Sequence, residues 1–122
     1  MARLLIGEDE VNIVESLRFV LERAGHAVRH ADDGEAVLAA IAAERPDLLI
    51  LDVMLPTLSG FDVLERLRAD AALRRLPVLV LTAKGQARDR EEADRLGADA
   101  FLAKPYANAE LVEAVAALTA PR

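Results

Sequence analysis

Short aliphatic runs and helical patterns alternate five times along this chain of 122 residues. The run "DLLILD" (47–52) is apolar on both faces, as a central strand of a parallel sheet must be. Between the runs, apolar residues recur every three or four positions, which is the period of a helix buried along one face. Strict alternation with short connections predicts a parallel sheet with right-handed crossovers and helices on both faces. The sequence therefore predicts a doubly wound, five-stranded α/β domain over residues 1–122.

Local signals place the boundaries of these elements. The predicted strands are 3–7, 26–31, 47–52, 78–83 and 100–104. Asp32 with Glu35 is expected to cap the second helix, and "SGFD" (59–62) has the spacing of a capping box that opens the third. Gly25 and Gly97 are expected to end the first and fourth helices.

Composition excludes several classes of protein. With 53% hydrophobic and 30% charged residues, the chain is too apolar for a disordered tail and too charged for a membrane protein. It has no cysteine, which excludes disulfides and thiolate sites. A net charge of -6 argues against direct binding of nucleic acid and favours a cation or a basic protein as partner. The apolar run at the start is too short for a signal peptide or a membrane span, so we expect a cytoplasmic protein with no membrane association.

Chemistry-bearing side chains stand at the ends of the predicted strands. Glu8 and Asp9 follow the first strand, Asp52 ends the third, Thr82 lies near the end of the fourth and Lys104 ends the fifth. In doubly wound sheets, ligands bind beyond the carboxyl ends of the strands. We therefore expect three carboxylates, a hydroxyl and an ammonium to converge at one edge of the sheet.

Such a cluster of acids needs a cation. Two carboxylates about 4 Å apart repel by roughly 4 kcal/mol at an effective dielectric constant near 20. Oxygen ligands without histidine or cysteine select a hard ion, and Mg²⁺ suits a site with few carboxylates because it retains several waters. Lys104 supplies a second positive charge, and it is one of only two lysines among the 15 lysine and arginine residues.

Four short motifs carry these residues, and a family resemblance rests on them. They are "GEDE" (7–10), "LDVMLP" (51–56), "LTA" (81–83) and "LAKP" (102–105). In this order and spacing they resemble the receiver domain of two-component response regulators, the CheY-like family, over nearly the whole chain. Gly60 also matches the family's pattern. The resemblance implies a flavodoxin-like (βα)5 fold with strand order 2-1-3-4-5.

The resemblance also implies a phosphorylation site and its metal. Asp52 would be the phosphoacceptor, taking a phosphoryl group from the phosphohistidine of a histidine kinase or phosphotransfer protein, or from acetyl phosphate. Mg²⁺ would be held by Asp9, Asp52 and the backbone carbonyl of Met54, with Glu8 acting mainly through water. Glu8 stands where an aspartate is commoner in the family. The domain would catalyse its own phosphorylation and dephosphorylation without being a conventional enzyme.

Further residues are expected to read the phosphoryl group. Thr82 and Lys104 would contact its oxygens, and small Ala83 would leave access to it. The Lys104–Pro105 bond resembles the cis peptide of the family. Tyr106 matches the switch aromatic, which would turn inward when Thr82 moves. This movement would alter the face made by the fourth helix, fifth strand and fifth helix, where an output partner would bind.

Three other classes share part of this pattern. A haloacid-dehalogenase-type phosphatase also uses an aspartate nucleophile after a strand, but it needs a second aspartate two residues on, where this chain has Met54. A flavodoxin-like FMN carrier needs a glycine- and hydroxyl-rich loop after the first strand, where this chain has "EDEVN" (8–12). A receiver-shaped interaction module that works without phosphate remains the alternative. The sequence leaves open whether the domain stands alone or was excised from a longer regulator.

Overall fold

A computed structural model of the chain describes residues 1–82 and 87–120. Its strands and helices alternate along the chain, as predicted. The elements are β1 (Arg3–Gly7), α1 (Val11–Arg23), β2 (Ala27–Ala31), α2 (Gly34–Ala43), β3 (Leu48–Asp52), α3 (Gly60–Ala69), β4 (Val78–Thr82), α4 (Ala87–Arg95), β5 (Ala100–Ala103) and α5 (Asn108–Thr119). Each predicted strand is confirmed to within one residue at either end.

The five strands form one parallel sheet in the order β2-β1-β3-β4-β5, which confirms the predicted fold. All five residues of β3 and all five of β4 are buried, because helices cover both faces of the sheet. Alternate residues of β3 enter different cores: Leu49 and Leu51 pack with α2 and α3, whereas Leu48 and Ile50 pack with α1 and α5. The hydrophobic effect thereby fixes the register of the central strand.

The ends of the helices follow the sequence signals with one exception. Ser59 and Asp62 form the predicted capping box at the start of α3. The predicted cap of α2 was wrong by one residue, since Asp33 rather than Asp32 accepts the hydrogen bond from the backbone N–H of Ala36. Asp33 directly precedes the helix, and only that position brings a side-chain oxygen to the free N–H groups of the first turn.

The loop between β3 and α3 is held close to the chain on both sides. A Cβ atom at Gly60 would lie 2.3 Å from the backbone oxygen of Asp52, and one at Gly34 would lie 2.3 Å from that of Leu58. Within the loop Thr57 has a φ of 65°, which is unusual for a β-branched residue. Its hydroxyl donates to Asp33 and accepts from the backbone N–H of Glu35. These contacts fix the backbone that follows Asp52.

The part of the chain that the structure describes contains no helix long and apolar enough to cross a membrane.

Candidate phosphoacceptor site at the carboxyl edge of the sheet

The register of the parallel strands brings the predicted residues to one edge. Gly7 pairs with Leu51, so Glu8 and Asp9 leave β1 beside the end of β3. Thr82 ends β4 and pairs with Ala103 of β5. The backbone N–H of Lys104 donates to the carbonyl oxygen of Thr82 at 2.8 Å. The predicted convergence at the carboxyl edge is therefore present in the structure.

Asp52 is held by two donors from different parts of the chain. Its Oδ1 accepts from the backbone N–H of Met54 at 2.7 Å, and its Oδ2 accepts from Lys104 Nζ at 2.9 Å. The residue is 6% exposed, whereas the side chain of Met54 is 74% exposed. The carboxylate is thus fixed at the rim of the core, where Asp52 and Met54 line the same cleft.

Glu8 is buried without full hydrogen bonding. Its Oε2 accepts from the backbone N–H groups of Asp9 and Glu10, at 3.0 and 3.1 Å. Its Oε1 lies 3.5 Å from Lys104 Nζ, which is an ion-pair distance but makes no hydrogen bond, and that oxygen is buried without a partner. Burial, together with the nearby Asp52 carboxyl, raises the pKa of Glu8 to about 7.

Lys104 is the cation that faces both buried acids. Burial alone would lower the pKa of its ammonium group, but the hydrogen bond to Asp52 and the charges of Asp52 and Glu8 outweigh burial and raise that pKa above its ordinary value. The peptide bond to Pro105 is cis, as predicted. Lys104 therefore remains charged near neutral pH and neutralises part of the acidic cluster.

The charges at this edge do not balance within the protein. Glu8, Asp9, Asp52 and Lys104 all line one cleft of about 490 Å³, so three carboxyl groups face one ammonium. An unpaired buried carboxyl oxygen and an excess of negative charge fit a divalent cation bound through oxygen atoms. Among residues 1–82 and 87–120, no three acidic or histidine side chains already form a metal-binding group. Mg²⁺ does not require one, because it binds through one or two carboxylates and keeps its remaining waters.

Thr82 lies at the same edge, but its hydroxyl is engaged elsewhere. The residue is 3% exposed, and its Oγ1 donates to Oδ2 of Asp89 at 3.1 Å. Sequence reasoning did not single out Asp89, which lies in the first turn of α4. The sequence indicates this contact only by an acid seven residues after Thr82. The helix that carries this acid has few apolar residues, so its rotation about its axis could not be predicted.

Tyr106 lies beside the acidic cleft rather than within it. Its half-buried ring packs against the core formed with α1 and α5, and it lines a neighbouring cleft together with Lys104 and Ile13. Burial raises the pKa of its hydroxyl. Ala83, expected to leave access to the phosphoryl group, lies outside the described residues.

A larger cavity, of about 680 Å³, lies at the opposite edge of the sheet beside Asp47, Arg68, Pro77 and Asp99. Arg68 and Asp99 are paired there: Arg68 donates to Asp99 at 2.9 Å, and Asp99 also accepts from the backbone N–H of Val78. The smaller cleft is the better candidate site, because it contains the unpaired carboxyl oxygen and the excess charge.

The fold and this acidic cleft define a class of small α/β signalling domains, and comparison with known proteins identifies the family. The family model described as the response regulator receiver domain matches residues 4–116. The chain belongs to the response regulator receiver domain family.

Individual relatives agree with this assignment. The alkaline phosphatase synthesis transcriptional regulatory protein PhoP of Bacillus subtilis is 40% identical over 95% of this chain and 48% of its own length. The DNA-binding dual master transcriptional regulator RpaA of Synechocystis is 42% identical over 97% of this chain and 49% of its own length. The crystal structure of a putative response regulator from Chloroflexus aurantiacus superposes with a TM-score of 0.94 at 38% identity, over 98% of both chains. The chain spans about half the length of the curated relatives it matches, and it is a receiver domain of the two-component signalling class.

Proposed function

We propose that Asp52 accepts a phosphoryl group from the phosphohistidine of a histidine kinase or phosphotransfer protein. The observation that carries this proposal is the position of Asp52, which is held between the Met54 N–H and the Lys104 ammonium in a cleft with excess negative charge. Fixed orientation matters because phosphoryl transfer depends on positioning and charge neutralisation more than on covalent assistance.

The transfer forms one bond and breaks one. An Asp52 carboxylate oxygen attacks phosphorus while the bond from phosphorus to the histidine nitrogen breaks. The electron pair stays on that nitrogen, and because the other ring nitrogen of the phosphohistidine carries a proton, the imidazole leaves in its neutral form. The product on Asp52 is an acyl phosphate. The same Asp52 chemistry would use acetyl phosphate as a donor, with acetate as the leaving group.

Glu8, Asp9, Asp52 and the backbone carbonyl of Met54 are the proposed Mg²⁺ site. When bound, Mg²⁺ would neutralise charge on the phosphoryl oxygens in the transition state. The orphaned Oε1 of Glu8 and the excess of carboxyl groups support the assignment. Glu8 would act mainly by accepting from metal-bound water, since its other oxygen is already occupied by two backbone N–H groups.

Lys104 and Thr82 are proposed to contact the transferred group. Lys104 already donates to Asp52 and needs only a small displacement to donate to a phosphoryl oxygen on the same carboxylate. A compact ammonium on a flexible stem suits this change of partner. Thr82, at the end of the adjacent strand, would donate its hydroxyl to a second oxygen.

We further propose that phosphorylation is read at Tyr106 and the face formed by α4, β5 and α5. An added charge of about -1.5 to -2 would draw the Thr82 hydroxyl towards it and free space behind the loop. The half-buried ring of Tyr106 would then turn inward and change the surface offered to an output partner.

Mass spectrometry after incubation with Mg²⁺ and acetyl phosphate tests the central claim. We expect an adduct of about 80 Da that is sensitive to hydroxylamine and is lost in Asp52→Asn. Asp94→Asn is the matched control, because Asp94 is an exposed acid on α4, and it should label normally. Persistence of the adduct in Asp52→Asn would refute the assignment. Absence of any adduct in the wild-type protein would instead favour a phosphate-independent interaction module.

Tyrosine fluorescence tests the switch separately. Tyr106 is the single tyrosine and the chain has no tryptophan, so the emission reports on this ring alone. We expect the emission to change when Mg²⁺ and beryllofluoride are added to the wild-type protein and to stay constant in Asp52→Asn. Unchanged emission in a protein that binds beryllofluoride would contradict the role of Tyr106.

A further inference from the structure

The Thr82 hydroxyl has an anionic partner in this structure, and that partner is not the phosphoacceptor. Thr82 is 3% exposed, and its Oγ1 donates at 3.1 Å to Oδ2 of Asp89, a partly buried residue in the first turn of α4. Hydrogen bonds to a carboxylate are about twice as strong as those between neutral groups. The contact therefore holds a buried hydroxyl in a definite orientation towards α4.

A threonine hydroxyl has one proton and can donate one hydrogen bond at a time. The proposed function requires this proton to be donated to a phosphoryl oxygen on Asp52. The bond to Asp89 must then break or become shared. Asp89 and the phosphoryl group consequently compete for the same donor.

We propose that Asp89 is a positioning residue that retains the Thr82 hydroxyl in the unphosphorylated protein and so opposes the phosphorylated conformation. This inference rests on the proposed function at Asp52. The contact between Thr82 and Asp89 is lost whenever Thr82 turns to the phosphoryl group. Its free energy therefore stabilises the unphosphorylated conformation relative to the phosphorylated one.

The same competition connects the site with α4. When Thr82 leaves, a partly buried carboxylate at the start of that helix loses its donor. Such a group must find another donor, gain water or move outward. The first turn of α4 borders the proposed output face, so release of Asp89 is a direct way for phosphorylation to alter that face.

Another role for Asp89 would not involve the Thr82 hydroxyl. An acid in the first turn also stabilises a helix through the positive end of its dipole. Loss of that effect would destabilise α4 without depending on Thr82. A double-mutant cycle between the two positions separates these roles.

Isothermal titration with beryllofluoride in saturating Mg²⁺ measures the expected effect. We expect the dissociation constant to fall about three- to tenfold in Asp89→Ala, which is the equivalent of removing one hydrogen bond from the competing state. Asp89→Asn keeps an acceptor oxygen without the charge and should lie between Asp89→Ala and the wild-type protein. Asp94→Ala removes an exposed acid from the same helix and should leave the affinity unchanged.

The cycle is completed in two Thr82 backgrounds. In Thr82→Ala there is no proton to compete for, so adding Asp89→Ala should not change beryllofluoride affinity. In Thr82→Ser the hydroxyl is restored, and adding Asp89→Ala should again tighten binding about three- to tenfold. A role limited to the stability of α4 would give the same effect of Asp89→Ala in all backgrounds.

Each outcome of these titrations decides the inference. Unchanged or weaker beryllofluoride affinity in Asp89→Ala overturns it, and so does tightening that persists in Thr82→Ala. These results would leave the proposed function intact, because the wild-type protein would still bind beryllofluoride. Failure of the wild-type protein to bind beryllofluoride, while Asp52 also fails to label with acetyl phosphate, would reject the proposed function and this inference together.

Discussion

The two edges of the sheet each carry a basic side chain paired with an acid, but they use it differently. At the amino edge Arg68 pairs with Asp99 at 2.9 Å. At the carboxyl edge Lys104 pairs with Asp52 at the same distance. The two pairs differ in what surrounds them, and that difference separates a structural cluster from a reactive one.

At the amino edge Arg68 and Asp99 each have several hydrogen-bond partners. Arg68 donates to the carbonyl oxygens of Gly97 and Leu76, at 3.0 and 2.8 Å, as well as to Asp99. Asp99 also accepts from the backbone N–H of Val78. A planar guanidinium with five donors can bind several oxygens in a fixed arrangement. This cluster ties α3, β4 and the start of β5 together.

At the carboxyl edge the groups are left unmatched. Lys104 faces both Asp52 and Glu8, and one buried oxygen of Glu8 has no hydrogen-bond partner. An uncompensated buried group destabilises the fold by itself. Its presence at the end of an otherwise apolar sheet is therefore better explained by a ligand than by stability.

Gly60→Ala should give the largest loss of stability and should disturb the carboxyl edge of the sheet but not the amino edge. A Cβ at this position would lie 2.3 Å from the backbone oxygen of Asp52, so the end of β3 or the start of α3 must move. We expect a loss of roughly 3 kcal/mol or more in the free energy of unfolding by urea denaturation. The folded fraction should also lose most acetyl phosphate labelling.

Ser59→Ala is the control for Gly60→Ala. It removes the cap of α3 without the clash, and it should destabilise by about 1 kcal/mol and keep labelling. If Gly60→Ala labelled like the wild-type protein, close packing against Asp52 would not be needed for the reaction.

Arg68→Met should break the amino edge and leave the chemistry untouched. It removes the side-chain donor of three backbone carbonyl groups and the charged partner of Asp99, so we expect a loss of about 2–3 kcal/mol in urea denaturation. Acetyl phosphate labelling of the folded protein should stay at the wild-type rate. A lower labelling rate at full folding would show that the two edges are coupled.

Much of this organisation was predictable from the sequence, because the fold depends on patterns that the chain displays locally. The period of the apolar residues distinguishes strands from helices, and a parallel sheet then brings the strand ends to one edge. Asp52, Glu8 and Lys104 could be placed together on these grounds, and the structure puts them in contact. The order of the strands came from the family resemblance.

The details that sequence reasoning missed depend on side-chain partners distant in the sequence or on backbone angles. Asp33 rather than Asp32 caps α2, a choice between neighbouring acids decided by where the helix begins. Thr57 has a left-handed backbone at a position where a glycine would be easier to predict. The bond from Thr82 to Asp89 depends on the rotation of α4 about its axis, which its polar sequence does not specify.

Glu8→Gln tests whether the carboxyl edge is unmatched, through the pH dependence of the free energy of unfolding. Because the pKa of Glu8 is raised from 4.5 to about 7 in the folded protein, the folded state binds more protons than the unfolded state between these values. The stability of the metal-free wild-type protein should therefore fall as pH rises through this range. Glu8→Gln removes this decrease, so we expect it to be more stable by about 2 kcal/mol at pH 6 and equal near pH 4.

Urea denaturation in EDTA from pH 4 to 8 measures the Glu8→Gln difference. Glu10→Gln alters the exposed neighbouring acid and should stay within about 0.5 kcal/mol of the wild-type protein at each pH. A Glu8→Gln protein that is less stable at pH 8 would show that the Glu8 carboxylate is already satisfied without a metal.

Lys104→Met should give the smallest effect and test whether the carboxyl edge is built for a second cation. The Lys104 ammonium and Mg²⁺ would both be attracted to Asp52, so removing the ammonium leaves more negative charge for the ion. We expect the dissociation constant for Mg²⁺ alone to fall about threefold, which adds at most about 1 kcal/mol to the stabilisation by Mg²⁺. Thermal unfolding at increasing Mg²⁺ measures this dissociation constant. Asp52→Asn is expected to bind Mg²⁺ more weakly, and Arg68→Met is expected to bind it like the wild-type protein.

Acetyl phosphate labelling of Lys104→Met should nevertheless drop, since the ammonium proposed to contact the phosphoryl oxygens is gone. Weaker Mg²⁺ binding in Lys104→Met would mean that Lys104 organises the acids for the ion, and the carboxyl edge would then resemble the amino edge more closely than its unmatched charges indicate.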